Sequence, residues 1–355
     1  MSGGAPSTIA AERLEKFSTA ILQQAGCSPT HAQQTARCLV AANLEGIDTH
    51  GVARLAVYAR RLKGGSINPN PSLVIKAGRG GLAVLDGDNG LGPVVGQEAM
   101  QKAIGLARDF GIGWVLARNS NHYAHAGYYA AAAASEGMIG ITSSSGEPVV
   151  APWGGTRAFL TNNPVAIAAP CGDEPVVIDM ATSVAARGQI LLAARTGRAI
   201  PDNWAVDENG DPTTDPKIAL AGSVLPMAGA KGFALILGLE ILTGVLAGGK
   251  FAPNVGSQHK AGGSHAGIGQ FFAAIDPGAI MDADEFSERM QQLASNMRAA
   301  PRRHGADEIR LPGERRTAVA RERAQTGIPI PPDILAELAT LAEEFGLSES
   351  GGLHG

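Results

Sequence analysis

The chain has 355 residues and a formal net charge of −4 at pH 7, a length that allows two domains and a charge that suggests neither a nucleic-acid nor a membrane-surface partner. Its three cysteines, Cys27, Cys38 and Cys171, share no metal-binding or redox spacing, so we expect free thiols in a reducing compartment. The chain begins without a basic-then-apolar leader, and its most apolar run, residues 233–247, is too short to span a bilayer, so we expect a cytoplasmic protein.

The first part of the chain is predicted to be mainly helical. Residues 7–24 have helical periodicity, and Ser28 as N-cap with Pro29 in the first position predicts a helix over residues 29–46. A capping-type turn around His50 then leads into a helix over residues 52–63. This helix-first beginning argues against a simple N-terminal βαβ unit.

Strands and helices alternate in the rest of the chain. Strands are predicted at residues 73–76, 82–85, 112–117, 138–143, 164–169, 176–179 and 271–275, the first two as a hairpin around a glycine turn. Helices are predicted at residues 92–110, 130–134, 182–196, 231–247 and 284–298 and beyond residue 312, with a loop over residues 251–269. The mixture predicts an α/β or α+β fold.

Residues 118–129 join a predicted buried strand to a predicted helix, a common position for catalytic groups in α/β proteins. The segment holds two histidines, two asparagines and three of the four tyrosines of the chain. We expect His122 to act as an acid/base in a proton-coupled hydride transfer, because its asparagine and serine neighbours can fix the imidazole tautomer. His122 and His125 also have a spacing that can hold a metal, but no carboxylate or thiol in the segment completes such a site.

His50 and Arg54 lie four residues apart near a predicted helix start, and Tyr58 follows after another four. A guanidinium beside an imidazole lowers the pKa of the ring and keeps it neutral near pH 7. The guanidinium itself suits bidentate capture of a carboxylate. An ordinary surface helix explains the same spacing, so the pattern leaves both interpretations open.

Three further junctions suggest contacts to an anionic cofactor. Residues 179–183 join a strand end to a helix start, where free backbone N–H groups can meet a phosphate or a ribose. Lys231 stands at a helix N-terminus, which is unfavourable unless an anion lies there too. Residues 312–314 form a similar junction. Residues 78–83 match a dinucleotide fingerprint, but a strand follows where a helix is needed, so we interpret them as a hairpin turn.

Together these stretches resemble the type-2 malate/L-lactate dehydrogenase family, which is unrelated to the Rossmann-fold dehydrogenases. The matching residues are 48–55, 119–129, 163–164, 179–183, 186–188, 230–232, 274–277 and 312–314. They span nearly the whole chain in the family's order. Each stretch alone is a weak signal, and together they are specific.

The resemblance implies NAD(P)-dependent interconversion of a small 2-hydroxy acid and its 2-oxo acid. It implies a non-Rossmann cofactor domain over residues 126–299, with a largely antiparallel mixed sheet and flanking helices. It also implies a helix-rich substrate and dimerisation part from residues 1–125 and 300–355, and a homodimer. The implied acid/base candidates are His50 and His122, and Arg54 holds the substrate carboxylate. The implied cofactor contacts are His50, Ser144, Asp179, Met180, Ala181, Lys231, Gly232, Pro312, Gly313 and Glu314, with no metal.

Two departures from the family pattern lie near these contacts: Gln189 in place of a common lysine, and Arg315 with Arg316 after Glu314. They leave open the choice between NADH and NADPH. A cyclic imine carboxylate such as Δ1-piperideine-2-carboxylate or Δ1-pyrroline-2-carboxylate is an alternative substrate for the same residues. A metal-dependent hydrolase using His122, His125 and His265 and a non-catalytic carboxylate-binding protein are more distant alternatives.

Overall fold

A seven-stranded mixed sheet forms the centre of the protein. The computed structural model describes residues 7–258, 262 and 264–347, so the predicted loop over residues 251–269 and the two chain ends lie partly outside it. The strands are β1 (Ser7–Ile9), β2 (Val74–Ala77), β3 (Leu82–Asp86), β4 (Ile112–Ser120), β5 (Ile139–Ser144), β6 (Val165–Ala169), β7 (Val176–Met180), β8 (Ala205–Val206), β9 (Ser223–Val224), β10 (Ile268–Ile275) and β11 (Ile328–Ile330). The order in the large sheet is β2-β3-β4-β10-β5-β6-β7, and only the β3–β4 pair is parallel. The largely antiparallel, non-Rossmann sheet predicted from the sequence is confirmed.

Helices cover both faces of this sheet. They are α1 (Ala11–Gln24), α2 (Pro29–Leu44), α3 (Leu55–Lys63), α4 (Gly92–Phe110), α5 (Gly127–Ser135), α6 (Arg187–Thr196), α7 (Pro216–Ala221), α8 (Ala230–Glu240), α9 (Ala283–Ala299), α10 (Glu314–Thr326) and α11 (Pro332–Glu344). Alternate side chains of β4 and β10 face opposite sides, as the period of a strand requires. Val115 and Phe272 join the main core with α4 and α5, whereas Leu116 and Phe271 face the end of α8.

Helix α4 shows how the local sequence brings the sheet and its cover together. Pro93 lies in the first turn, and Gly111 ends the helix in the left-handed conformation with φ of 79°. A Cβ on Gly113, at the start of β4, would overlap the carbonyl oxygen of Ala103 in the helix. The glycine therefore permits the close packing of α4 against β4.

Three boundaries differ from the sequence prediction. Residues 7–9 form a strand instead of a helical turn, because they pair with β11 near the other end of the chain. The helix predicted from residue 182 begins only at Arg187. The helix predicted to residue 247 is α-helical only to Glu240 and continues as a π-helix over Ile241–Leu246, where the Thr243 hydroxyl donates back to the Leu239 carbonyl.

The N- and C-terminal parts pack together: α10 lies against α2, α11 against α3, and β1 pairs with β11. The large sheet, however, takes β2, β3 and β4 from before residue 125 and its other strands from after it. The predicted domain boundary thus falls within the strand order of one sheet. None of the helices in the described residues has the length and apolar character needed to cross a membrane.

Candidate active site

The predicted site segments meet at one edge of the large sheet. Ser144 ends β5 opposite Gln270 of β10, and Ser120 ends β4 opposite Ile268 of the same strand. Strand β7 ends at Met180, which lies opposite Val165 of β6. Val165 in turn lies opposite Ser143, near the end of β5. The segment after β4, which carries His122, therefore lies on the same side as Ser144 and as residues 179–181. Antiparallel register explains this convergence, because alternate strands end at the same edge.

His50 and His122 lie side by side at this edge. Their rings are stacked with centroids 5.8 Å apart and planes inclined by 25°. His50 follows α2 in a 3-10 turn over Asp48–His50, and its Nδ1 lies 3.0 Å from the Thr49 hydroxyl. Burial, followed by the positive charge of Arg54, lowers the pKa of His50 to about 4. The ring of His50 is therefore neutral at physiological pH.

Tyr58 connects His122 to helix α3. Its hydroxyl oxygen lies 2.6 Å from His122 Nδ1 and 3.1 Å from the His122 carbonyl oxygen. The phenol has one proton, so it satisfies both contacts when it donates to the carbonyl and accepts from Nδ1–H. Burial raises the pKa of Tyr58 far above its usual value, so the phenol keeps this proton at neutral pH. In this arrangement Nε2 of His122 carries the lone pair.

Arg54 completes this group, although α3 begins one residue later than Arg54. Residues Val52–Arg54 form a second 3-10 turn, and Arg54 Nε donates to the Thr49 carbonyl at 2.7 Å. This bond anchors the guanidinium beside the His50 turn, and its charge acts on both His50 and Tyr58. The structure therefore brings Arg54, His50 and His122 together, as the sequence predicted.

Asp179 is the centre of a second group of charges next to His50. Its carboxylate accepts from Arg316 at 2.9 Å, and its carbonyl accepts from the same guanidinium at 2.9 Å. His125 Nδ1 lies 3.7 Å from Asp179 Oδ2 and 3.9 Å from a carboxylate oxygen of Glu45. Although burial acts in the opposite direction, contacts with His125 and the charge of Arg316 lower the pKa of Asp179 to about 2. The predicted cofactor contact Asp179 is thus already committed to a buried ion pair.

The N-terminus of α8 approaches the end of β7 through its preceding loop, since Met227 N donates to the Thr182 carbonyl at 2.9 Å. A Cβ on Gly232 would overlap the Met227 carbonyl, so this tight turn requires glycine. The side chain of Lys231 is exposed in the first turn, where the helix also offers free N–H groups. A cationic side chain and helix dipole together fit an anion such as a phosphate.

The junction at residues 312–314 lies against β7 on its outer side. Val177 N donates to the Pro312 carbonyl at 3.1 Å, and Gly313 adopts a positive φ of 100° at the start of α10. The Glu314 carboxylate accepts from Leu311 N at 2.8 Å and pairs with Arg298 at 2.6 Å. Glu314 therefore stabilises the turn that precedes α10.

Several buried polar atoms at the same edge have no hydrogen-bond partner within the described part of the chain. They include Asn121 Oδ1, Ser143 Oγ and Gln270 Oε1. Buried orphans of this kind indicate a place where a polar ligand or water is received. Ser144 is buried beside them, and its hydroxyl donates to the Ser145 carbonyl at 2.8 Å. Ser143 pairs with Phe271 and Gln270 pairs with Ser144, so the orphaned atoms of Ser143 and Gln270 lie on opposite faces of the sheet.

Sequence reasoning assigned His125 to a metal alternative and treated Arg316 only as a departure, so it missed their shared partner Asp179. No group of three or more histidine, cysteine or acidic side chains in the described residues is arranged to hold a metal ion. His265 instead takes part in a loop contact, in which its carbonyl accepts from Lys250 at 2.7 Å. The described residues therefore offer no set of metal ligands for the metal-dependent hydrolase alternative.

Two imidazoles and an arginine at one edge of the sheet are groups that a nicotinamide-dependent oxidoreductase of carboxylate substrates can use. The model of the malate/L-lactate dehydrogenase family matches residues 9–339, and the chain belongs to this family. It is 38% identical over 345 residues to malate dehydrogenase from Pyrococcus horikoshii, covering 95% of each chain.

Two solved structures support the same assignment. Sulfolactate dehydrogenase from Methanocaldococcus jannaschii superimposes with a TM-score of 0.92 at 36% identity, covering 98% of this chain and 100% of that one. Δ1-Piperideine-2-carboxylate reductase from Pseudomonas syringae pvar. tomato gives 0.84 at 30% identity, covering 95% and 100%. The protein is therefore an NAD(P)-dependent dehydrogenase of the 2-hydroxy acid type.

Proposed function

We propose that His122 transfers the proton while a small 2-hydroxy acid and its 2-oxo acid are interconverted, and that malate, lactate and sulfolactate define the substrate class. The single observation that carries this assignment is the short contact of the Tyr58 hydroxyl with His122 Nδ1 at 2.6 Å. This contact fixes the tautomer whose Nε2 takes the proton from the 2-hydroxyl group during oxidation. In reduction, the same nitrogen returns the proton to the developing alkoxide.

His50 has a different role in this proposal. A pKa of about 4 makes it a poor proton carrier near pH 7, because almost none of it is protonated there. As a neutral ring stacked on His122, it lines the site and offers a hydrogen bond to the substrate oxygen or to the nicotinamide. Arg54 orients the substrate by pairing with its carboxylate. The different surroundings of the two histidines thus support His122 as the proton carrier.

A bound nicotinamide coenzyme supplies or accepts the hydride at C2 of the substrate. For its binding we propose the residues that the family resemblance implied. The N-terminus of α8, with Lys231 and Gly232, receives a phosphate, and Ser144 with residues 179–181 and 312–314 lines the rest of the site. Asp179 contributes through Arg316, because their ion pair holds the end of β7 in position. The choice between NAD and NADP stays open.

Reduction of a cyclic imine carboxylate is the second candidate, and the likeness to the piperideine-carboxylate reductase favours keeping it. The same Arg54 and His122 would serve, since the imine nitrogen also needs a proton. The experiment compares kcat/KM for pyruvate, oxaloacetate, sulfopyruvate and the two cyclic imines with each reduced coenzyme. Turnover of the 2-oxo acids supports the proposal, and turnover of the imines alone would replace it.

We also propose that two copies of the cytoplasmic enzyme associate through the outer face of α8 and the π-helix. Leu237, Ile241 and Val245 lie four residues apart on this surface and are 43%, 50% and 54% exposed. Such a row of exposed apolar side chains is typical of an interface. Sedimentation of the wild-type protein and of Val245→Asp tests this. The proposal predicts that the wild type has the mass of a dimer and that the variant has the mass of a monomer.

A further inference from the structure

His125 is a buried imidazole whose two ring nitrogens have no hydrogen-bond partner among the described residues. It is 4% exposed and lies in the segment between β4 and α5. Its Nδ1 atom lies 3.7 Å from Asp179 Oδ2 and 3.9 Å from a carboxylate oxygen of Glu45. Both distances are too long for a hydrogen bond. Buried polar groups without a partner are rare, so this position requires a functional explanation.

The charges around His125 balance only when the imidazole is protonated. Asp179 and Glu45 supply two carboxylates, and Arg316 supplies one guanidinium, which donates to Asp179 at 2.9 Å. A neutral imidazole leaves one negative charge in excess, in surroundings where an unpaired charge is costly. A protonated imidazole removes the excess, and a movement of roughly 1 Å would bring its Nδ1–H to the length of a charge-assisted hydrogen bond.

This group of charges joins the two sides of the candidate site. Asp179 is the residue before the last of β7, and Arg316 also donates to the Asp179 carbonyl at 2.9 Å. Glu45 ends helix α2 as its C-cap, five residues before His50. His125 therefore stands between the strand end that we propose as a coenzyme contact and the turn that carries His50.

The other groups that face the imidazole keep their charge state near neutral pH. Burial holds the pKa of His50 at about 4 and raises that of Tyr128 to about 12, so both stay neutral. Asp179, with a pKa of about 2, stays ionised, and the guanidinium beside it stays charged. Burial raises the pKa of Glu45, and a positive charge on the imidazole opposes this rise. Histidine is the side chain that ordinarily changes charge between about pH 5 and 8.

We propose that His125 is a positioning residue for the coenzyme, and that its protonated form bridges Asp179 and Glu45 and thereby fixes the end of β7. The inference rests on the proposed coenzyme contacts at residues 179–181. The neutral ring leaves an excess negative charge beside an anionic coenzyme, so this state binds the coenzyme more weakly. Coenzyme affinity therefore falls as pH rises through the titration of the imidazole. By linkage, coenzyme binding within this pH range takes up protons.

Fluorescence titration with NADH and with NADPH between about pH 5 and 8 measures the dissociation constant without turnover. We expect the wild-type affinity to fall at least about fivefold over this range, the lower end of the coupling between linked sites. His125→Asn keeps an N–H donor near the Nδ1 position but has no titrating group, so its affinity should be nearly independent of pH. His125→Ala should bind weakly throughout. The control His31→Asn should behave as the wild type, because His31 lies at the other end of α2 beside the Pro69 carbonyl.

Calorimetric titration of the coenzyme in buffers of different ionisation enthalpy gives a second readout, the number of protons taken up. The wild type should take up protons on binding, and His125→Asn should take up fewer. His122→Gln should keep the uptake, since it leaves Asp179 and Glu45 in place. Uptake that is lost in His122→Gln and kept in His125→Asn would assign the titration to His122 and overturn the proposal.

Thermal unfolding at each pH separates positioning from a purely structural role. A His125→Asn protein that is less stable than the wild type but has the same pH profile of coenzyme affinity would refute the role of His125 and leave the proposed function intact. A wild type that binds neither NADH nor NADPH would refute the proposed coenzyme contacts, and this inference with them.

Discussion

The sharpest prediction concerns Tyr58→Phe, which removes one oxygen atom and keeps the ring. The substitution deletes the hydroxyl contacts to His122 Nδ1 at 2.6 Å and to its carbonyl at 3.1 Å. Leaving a buried donor or acceptor unpaired costs about 1–3 kcal/mol. At about 1.4 kcal/mol per factor of ten, kcat should fall roughly 5- to 150-fold through misorientation of His122. Arg54 is untouched, so KM should change little.

Steady-state kinetics in the oxidation and reduction directions check this expectation, with Tyr128→Phe as the matched control. Tyr128 lies in the same segment as His122 and contacts the His125 ring. In the described residues Tyr128 makes its contacts through the ring, with His125 and Tyr129, so loss of its hydroxyl should leave kcat near the wild-type value. A Tyr58→Phe enzyme with wild-type kcat would show that the phenol does not set the His122 tautomer.

Three other expectations follow from the same geometry. Arg54→Lys loses the planar fork that binds a carboxylate, so KM should rise about tenfold or more in initial-rate assays, with little change in thermal stability. Because His50 is neutral above about pH 4, His50→Gln should keep the shape of the kcat/KM profile between pH 5 and 8, whereas His122→Gln should flatten it; the reverse result would exchange their roles. Gly232→Ala forces a methyl group against the Met227 carbonyl, so calorimetry should show a destabilisation of about 1–3 kcal/mol, and an unchanged melting temperature would contradict the tight turn.

The fold was largely predictable where local and tertiary preferences agree. Ser28 accepts from His31 N as an N-cap should, and Pro29 begins α2 as its position predicted. Gly111 likewise ends α4 where the pattern does. The strand at Ser7–Ile9 was missed because its partner lies more than 300 residues along the chain, and no local window contains that information. The π-helix was missed because Glu240 and Thr243 make buried contacts there with Asn163, a distant residue that no local window contains.

The candidate site was also predictable only in part. His50, Arg54 and Tyr58 are close in sequence, so helical spacing was enough to group them. His122 was singled out by the polar segment that contains it, and the family resemblance then placed it in the same site. The sequence analysis did not single out Arg61, which is 1% exposed and whose Nε and Nη2 atoms have no hydrogen-bond partner among the described residues, because its spacing from Arg54 only indicates one side of α3. Whether an arginine on that side is solvated or buried depends on the loop that covers it, here at Gln258. Burial of a charged side chain depends on the tertiary structure and is not visible in the local sequence.

The sequence did not predict that Asp179, Arg316 and His125 lie together, and this group affects the proposed mechanism. Asp179 and Arg316 are 137 residues apart, and His125 comes from a third segment. The sequence analysis gave each of the three a separate role, whereas the structure groups them beside His50. The charges of His125 and Arg316 lower the pKa of His50, and that of Asp179 raises it by less than burial lowers it. The neutrality of His50, and with it the assignment of proton transfer to His122, thus depends on burial and on residues that the sequence linked to other roles.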